Sequence, residues 1–398
     1  MGAGVKPSLF TQLDAVAINA ALLKDSPRCW NCGMFRHRER LWLAYRYHLQ
    51  EPCSRCAVAI CELDAKTLQP CGKSQQVQLG KSKIAHYEDP RLFEVAGVPY
   101  ISYTEMSSYE PGKDYRCVMK YSQLKLTSGR WSVVESWQPR YGLNDGKNRE
   151  KNWVFFDYEG AIHAVYAGRP NHLVLRLNGE QVVTTYDAPG AMWHFGAFRG
   201  GTPPVKQADG TMLSIFHSSL PTEIAPHYIR YYAAAYTFEG EPPFAPLRIS
   251  TRPLMVGSEE DGHRVDPRYV AGWKPYVVFP CGLVPDGPNW LVSLGVNDWA
   301  CAVARIKADG LHLGAANGSD IPPRYFSADN GSMPVPIRGE DGLPRHLHWT
   351  VVRGRVGRTG TGYMKCANPM EAQAVAEMAG VTEIKYADWD RALAVART

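Results

Sequence analysis

Between Arg28 and Ile306, short apolar runs alternate with turns rich in glycine or charge, and one arrangement recurs five times. Each unit reads as a short run, a turn and then an apolar strand that ends in a polar or aromatic residue. The units are WNCGMFRHRERLWLAYRYH from Trp30, EDPRLFEVAGVPYISYTEM from Glu88, KNWVFFDYEGAIHAVYAGR from Lys151, GGTPPVKQADGTMLSIFHSS from Gly200 and VVFPCGLVPDGPNWLVSLGVND from Val277. They begin about 50 to 80 residues apart, a period that marks stacked modules, and the all-β module of that size is a four-stranded propeller blade. CAVAICEL in the first unit and YIRYYAAAYTFE in the fourth supply outer strands. No long helical pattern separates the units, which argues against a βαβ architecture. The pattern predicts an all-β, five-bladed β-propeller over residues 26–365; an irregular pair of β-sandwiches is the alternative.

Helical patterning is confined to the ends. Leu9, Leu13, Val16, Ala20 and Leu23 recur at spacings of four and three, which predicts an amphipathic helix over Ser8–Lys24 and an N-terminal extension of residues 1–25. Asn368 as cap, Pro369 at the first helical position and Gly380 at the stop frame a second helix in a C-terminal extension of residues 366–398, an oligomer contact or a lid. The first part of the stretch from Asp320 to Met364 is expected to close the ring.

Composition narrows the class of partner. With 45% hydrophobic and 21% charged residues among 398, the chain can bury a large core, and Gly 36, Pro 29 and Tyr 21 suit many short strands and turns. A net charge of +5 is compatible with an anionic ligand but too diffuse for a nucleic-acid face. No apolar run reaches the roughly 18 residues of a membrane span, and the N-terminus lacks the plan of a secretory signal. These features predict a cytoplasmic protein whose ten cysteines are mostly reduced. Cys29-Trp30-Asn31-Cys32 and Cys53-Ser54-Arg55-Cys56 have zinc-ribbon spacing, yet a propeller register separates the pairs by an intervening strand. Small buried thiols are therefore expected, with no metal and no cofactor.

Blades converge on an axis, so polar residues beside the innermost strands gather into one funnel. Asn31, Asp89, Lys151, Thr202 and Asp298 occupy corresponding places in the five units and predict a sugar-sized polar site. Arg46, Lys151, Arg169 and His217 begin or end inner strands and could cradle a phosphate dianion, inorganic or on a sugar donor, a task that suits the arginine fork. Glu88, Arg91 and Asn152 adjoin these positions, and Trp153 offers a flat face for a pyranose ring.

The ordered series EDPR, EKNW, RGGTPP followed by a strand ending in His217, and VVFPCG followed by GVND resembles glycoside hydrolase family 130, the mannoside phosphorylases and related transferases. Members tend to show Lys-Asp where this chain has EKNW, and Ala-Ala-Asp where it has GVND. The resemblance implies a five-bladed propeller with an axial active site and a β-mannoside substrate, cleaved with inversion by phosphorolysis or used in glycosyl transfer from a phosphorylated donor. It also implies that Asp89 is the catalytic acid, passing its proton to the leaving oxygen through a substrate hydroxyl; read alone, Asp89 could equally be a ligand for sugar hydroxyls. An inverting hydrolase with Asp298 or Glu150 as base, or a glycan-binding propeller without turnover, fits the same residues.

Overall fold

The computed structural model describes residues 9, 13–18, 28–49, 56–80, 86–108, 116–193, 195–221, 229–266, 268–270, 274–317, 324–329, 337–338, 344–345, 350–353, 360–366 and 381–385. Residues 1–191 with 198–316 form one compact unit, and residues 192–197 with 317–398 form another.

The larger unit is a five-bladed β-propeller. Blade 1 runs Cys29–His37, Arg40–His48, Cys56–Leu63 and Gln75–Val77; blade 2 runs His86–Val95, Val98–Ser108, Arg116–Thr127 and Arg130–Trp137. Blade 3 comprises Val154–Tyr158, Ala161–Ala167, Asn171–Asn178 and Gln181–Pro189. Blade 4 has a short inner strand, Val205–Lys206, followed by Met212–Pro221, Ile229–Phe238 and Pro246–Ser250, with Leu313–Ala315 added at its edge. Blade 5 is built from Val278–Asp286, Asn289–Val296 and Ala300–Lys307. Within each blade, successive strands pair antiparallel, as short hairpin connections dictate. The first hairpins of blades 2 and 3 turn at Ala96-Gly97 and Glu159-Gly160, all with positive φ, the two-residue geometry that matches strand twist.

The fourth strand of blade 5 is Asp14–Ala17, paired with Ala302–Arg305 in the register Asp14↔Arg305 to Ala17↔Ala302. The helix expected over Ser8–Lys24 is met at Leu9, whose carbonyl accepts the Leu13 N–H at 3.0 Å, but Asp14–Ala17 is corrected to a strand, and the propeller begins before residue 26. Val16 continues the helical spacing of Leu9 and Leu13, but the open edge of Ala300–Lys307 offers unpaired backbone groups that a strand satisfies and a helix does not. Ring closure belongs to this segment, not to the stretch after Asp320 as expected. Arg305 fixes the join through Asp14 at 2.7 Å, and the Gln69 side-chain amide donates to the Ala17 carbonyl at 3.0 Å from blade 1.

The expected lower limit of the C-terminal extension is also revised, since the larger unit ends at Ala316. The second unit has its own antiparallel sheet in the order Thr350–Arg353, Gly360–Cys366, Arg324–Asp329, Val381–Ile384. The helix expected after Asn368 lies outside the described residues.

Apolar faces meet at all five blade junctions. Leu43 and Tyr45 of blade 1 pack with Leu291 and Val303 of blade 5; Trp42, Ile60, Leu92 and Trp131 join blades 1 and 2. Phe93, Tyr121, Phe155 and Leu175 join blades 2 and 3, Phe156 meets Phe238 edge-on at 5.8 Å between blades 3 and 4, and Ile215, Leu294 and Ala304 join blades 4 and 5. Inner strands are buried on both faces, which is why they read as near-continuous apolar runs, whereas outer strands such as Arg130–Trp137 are largely exposed.

Candidate active site

Three inner strands carry a bulge at their first turn toward the axis: the register slips between Trp30 and Gly33, between Glu88 and Arg91, and between Pro280 and Gly282. Bulges bend a strand and re-aim side chains. Asn31 and Asp89 sit in the first two with φ of 51° and 54°, a left-handed conformation that non-glycine residues adopt at a cost and that clusters at functional sites. Gly33 lets adjacent bulges touch, because a Cβ there would lie 2.4 Å from the Pro90 carbonyl oxygen.

The bulges bring carboxylates and cations together. Asn31 Nδ2 donates to Asp89 Oδ1 at 2.8 Å, and Arg46 Nη1 stands 3.4 Å from the same oxygen. Asp89 Oδ2 has no hydrogen-bond partner among the described residues. The Arg46 guanidinium lies over the Trp30 ring at 4.6 Å, is 2.7 Å from Glu88 Oε1 and approaches Asp298 Oδ2 at 3.9 Å. Lys151 Nζ donates to Glu88 Oε2 at 2.6 Å. His86 accepts the Cys56 backbone N–H on Nδ1 at 3.1 Å, which leaves its proton on Nε2 to donate to Glu88 Oε1 at 3.0 Å. Lys274 pairs with Asp298.

Burial alone would raise the Glu88 pKa, but Arg46, Lys151 and His86 hold this carboxyl well below its ordinary value. For Asp298, burial likewise opposes ionisation while Lys274 and Arg46 outweigh it, so its pKa is lowered. His217 goes the other way: burial, then Arg91 and Arg199, push its pKa well below the usual range and keep the ring neutral.

Of the residues expected from the sequence, Asn31, Arg46, Glu88, Asp89, Lys151 and Asp298 form this one cluster. Arg169 lies half-buried in the turn between the second and third strands of blade 3. Five expectations are corrected. Trp153 is wholly buried against Phe155 and Tyr166, so it has no face to offer a sugar. Thr202 is also wholly buried, and its hydroxyl accepts the Ile215 N–H at 2.9 Å within blade 4. Arg91 is a fully buried tie, not a ligand: its guanidinium donates to the carbonyls of Asp89, Gly200 and Gly201 and to Asn152 Oδ1, clamping blades 2, 3 and 4. Asn152 is accordingly engaged by Arg91. A neutral His217 stacked on Tyr231 does not supply a positive charge.

The sequence reading missed four residues here. His86 and Lys274 hold Glu88 and Asp298; the exposed Arg199 opens RGGTPP yet received no role; and Tyr231 is within electrostatic reach of Asp298, Arg199, Lys274 and Asp89. Extending the fourth unit one residue upstream of Gly200 would have found Arg199. Tyr231 carried no signal, since strand aromatics are ordinarily core. Cys29 and Cys32 lie buried beside Cys301 at the junction of blades 1 and 5, whereas Cys53 is outside the described residues.

No family model and no curated protein sequence matches the chain. Solved structures do. A family 130 structure, from a family of mannoside phosphorylases containing glycoside hydrolases that target β-1,2-mannosidic linkages in Candida mannan, aligns at a TM-score of 0.50 with 13% identity, covering 79% of this chain and 95% of its own. The mannose phosphorylase MPT-4 from Leishmania mexicana, in complex with phosphate ion, aligns at 0.51 with 13% identity over 76% of this chain and 92% of its own. A putative glycosidase from Bacteroides thetaiotaomicron aligns at 0.51 with 13% identity over 76% and 96%. The chain has the five-bladed fold of the family 130 structures.

Proposed function

We propose that this chain is a glycoside phosphorylase that cleaves a mannoside with inversion and, in reverse, transfers mannose from its 1-phosphate. The observation that carries the reading is the charge around Asp89. Arg46, Lys151 and Lys274 pair with Glu88, Asp89 and Asp298, and the exposed Arg199, which pairs with no carboxylate among the described residues, is within electrostatic reach of His217 and Tyr231 beside them. A cation without a carboxylate partner at this place suits a phosphate dianion bound beside a neutral sugar. The phosphate-bound Leishmania relative and the family 130 structure support the same substrate class.

In this reading Asp89 Oδ2, the oxygen left uncommitted, gives a proton to the glycosidic oxygen through a sugar hydroxyl. The bond from the anomeric carbon to that oxygen breaks as a phosphate oxygen attacks the carbon from the opposite face, giving an inverted sugar 1-phosphate and a free acceptor. Asn31 and Arg46 orient Asp89; Arg199, with Arg169 on the neighbouring blade, meets the phosphate. A hydrolase would need a carboxylate base instead. Asp298, held ionised by two cations, is a weak base, and Glu150 is occupied by the Trp153 indole N–H at 3.1 Å and the Tyr166 hydroxyl at 3.4 Å. We place the enzyme in the cytoplasm, where its eight described free cysteines stay reduced.

The test is the reverse reaction. Mannose 1-phosphate and a panel of acceptor sugars are incubated with the protein, and products are read by mass. A new disaccharide with equimolar phosphate release is expected; no product from any sugar 1-phosphate contradicts the proposal.

A further inference from the structure

A well-formed cleft among the described residues lies away from the axis. It has a volume of about 620 Å³ and opens between blades 2 and 3 beside the turns Ala96-Gly97, Glu159-Gly160 and Asn178-Gly179. These turns lie at the far ends of the strands that begin at the candidate active site. Asp89 and Val95 are six residues apart on one strand, which at strand rise is roughly 20 Å. The cleft size falls in the range of small-ligand pockets.

Its lining combines two kinds of group. Tyr100 and Trp137 supply aromatic surface over a wholly buried Tyr121, and Gln123, Arg176 and Asn178 supply polar side chains that make no side-chain hydrogen bond among the described residues. The rings are held in place. Trp137 stacks on Tyr121 at 5.1 Å, Tyr100 stacks on Phe93 at 5.3 Å, and the Tyr121 hydroxyl donates to the Gly179 carbonyl at 2.8 Å. Gly179 itself has φ of 58°, and a Cβ there would come 3.2 Å from Trp137 Cδ1, so the turn fits closely under the indole.

We infer that this cleft is a second saccharide-binding site, for a neutral oligosaccharide of two or three units. A pyranose presents apolar C–H faces and a rim of hydroxyls, and rigid aromatic rings beside uncommitted amide and guanidinium donors match both features at low entropic cost. No carboxylate lines the cleft, and its single cation can donate to hydroxyl oxygens without demanding an anion. An extended peptide would seek an open strand edge here, whereas the lining is side chains and hairpin turns. The inference goes beyond the proposed reaction and does not depend on it, because sugar held here is remote from Asp89.

Calorimetry and saturation-transfer NMR with β-1,2-mannotriose and cellotriose on the full chain test it. Asp89→Asn is the background, so that turnover does not blur binding. At least one trisaccharide should bind in a step that Trp137→Ala weakens about tenfold or more, while Trp137→Ala in the otherwise unaltered enzyme leaves its basal activity unchanged. Should Trp137→Ala fail to fold, Arg176→Ala keeps the rings and should weaken the same step several-fold. The inference is overturned by binding that neither variant alters, by no binding of either trisaccharide, or by a dimer that Trp137→Ala dissociates without any sugar step. The last result would assign the cleft to a second copy of the chain.

Discussion

The side-chain amide of Asn31 donates a 2.8 Å hydrogen bond to Asp89 Oδ1, joining the inner strands of two neighbouring blades through residues that both hold left-handed backbone angles. Each occupies a bulge, and each would relax if the other released it. The pair fixes one Asp89 oxygen and leaves the second for substrate. Replacing Asp89 by Asn keeps an acceptor for Asn31 and removes the proton donor. Asp89→Asn should therefore retain the native circular dichroism and melting profile while turnover falls about 100-fold or more, measured as initial rates at saturating substrate.

Gly295 tests the same pair from behind. A Cβ on this residue would lie 1.9 Å from Asn31 Oδ1 and 2.8 Å from the Asn31 nitrogen, so Gly295→Ala must displace the bulge. Overpacking of this kind costs about 1 to 3 kcal/mol. The larger effect should be on rate, since displacing a positioned group by about 1 Å can cost roughly 100-fold. Melting curves and kcat measured together separate the two; a folded variant with full activity would deny Asn31 its orienting role.

Glu88 is the keystone of the local charge. It is shared by Arg46, Lys151 and His86, and its side chain is only 13% exposed. Glu88→Gln leaves two cations facing each other without their carboxylate, and breaking a buried pair costs about 3 kcal/mol. Chemical denaturation should show that loss as a lower midpoint at unchanged slope.

Three buried histidines, His163, His172 and His217, are held toward the neutral form and weaken the fold in acid. Burial lowers the His172 pKa to about 4, with the ring hydrogen-bonded to the Tyr236 hydroxyl at 3.2 Å; His217 is also held neutral. The unfolded chain takes up these protons near pH 6.5, whereas the folded chain refuses them until much lower pH. Stability therefore falls as pH drops from 6.5 toward 4, and at pH 5 His172 alone accounts for about 2 kcal/mol. Melting temperatures between pH 7.5 and 5 should decline less steeply in His172→Gln, with the remaining slope left by His163 and His217.

The blade pattern was legible because strands buried on both faces cannot hide their apolar runs, and the bulge residues Asn31 and Asp89 stand at fixed offsets within them. Arg46, Glu88, Lys151 and Asp298 were legible for the same reason. Trp153 misled because an aromatic beside a polar motif reads alike whether its face is open or packed on Phe155. Arg91 misled because a sequence does not reveal that three backbone carbonyls and an asparagine will absorb a guanidinium. The segment Asp14–Ala17 was misread because its partner, Ala300–Lys307, is almost 300 residues away and only the closed ring brings them together.

The basic residues separate a phosphorylase from a hydrolase. Arg199 is exposed and pairs with no carboxylate among the described residues, so it has no structural duty to confuse the result. A charge-assisted hydrogen bond to phosphate is among the stronger single contacts, so Arg199→Ala should weaken phosphate binding about tenfold or more, with Arg169→Ala acting in the same direction. Neutral mannose should bind both variants nearly as it binds the unaltered chain. Calorimetric titration of each ligand provides the comparison, and equal losses for the two would remove the phosphate assignment.

The most direct measurement follows the products of a β-1,2-linked mannobiose with and without inorganic phosphate. Mass and phosphorus NMR spectra should show mannose 1-phosphate and free mannose forming in equal amounts, with no cleavage when phosphate is left out. Release of two free mannoses at the same rate without phosphate would contradict the account and make the protein a hydrolase.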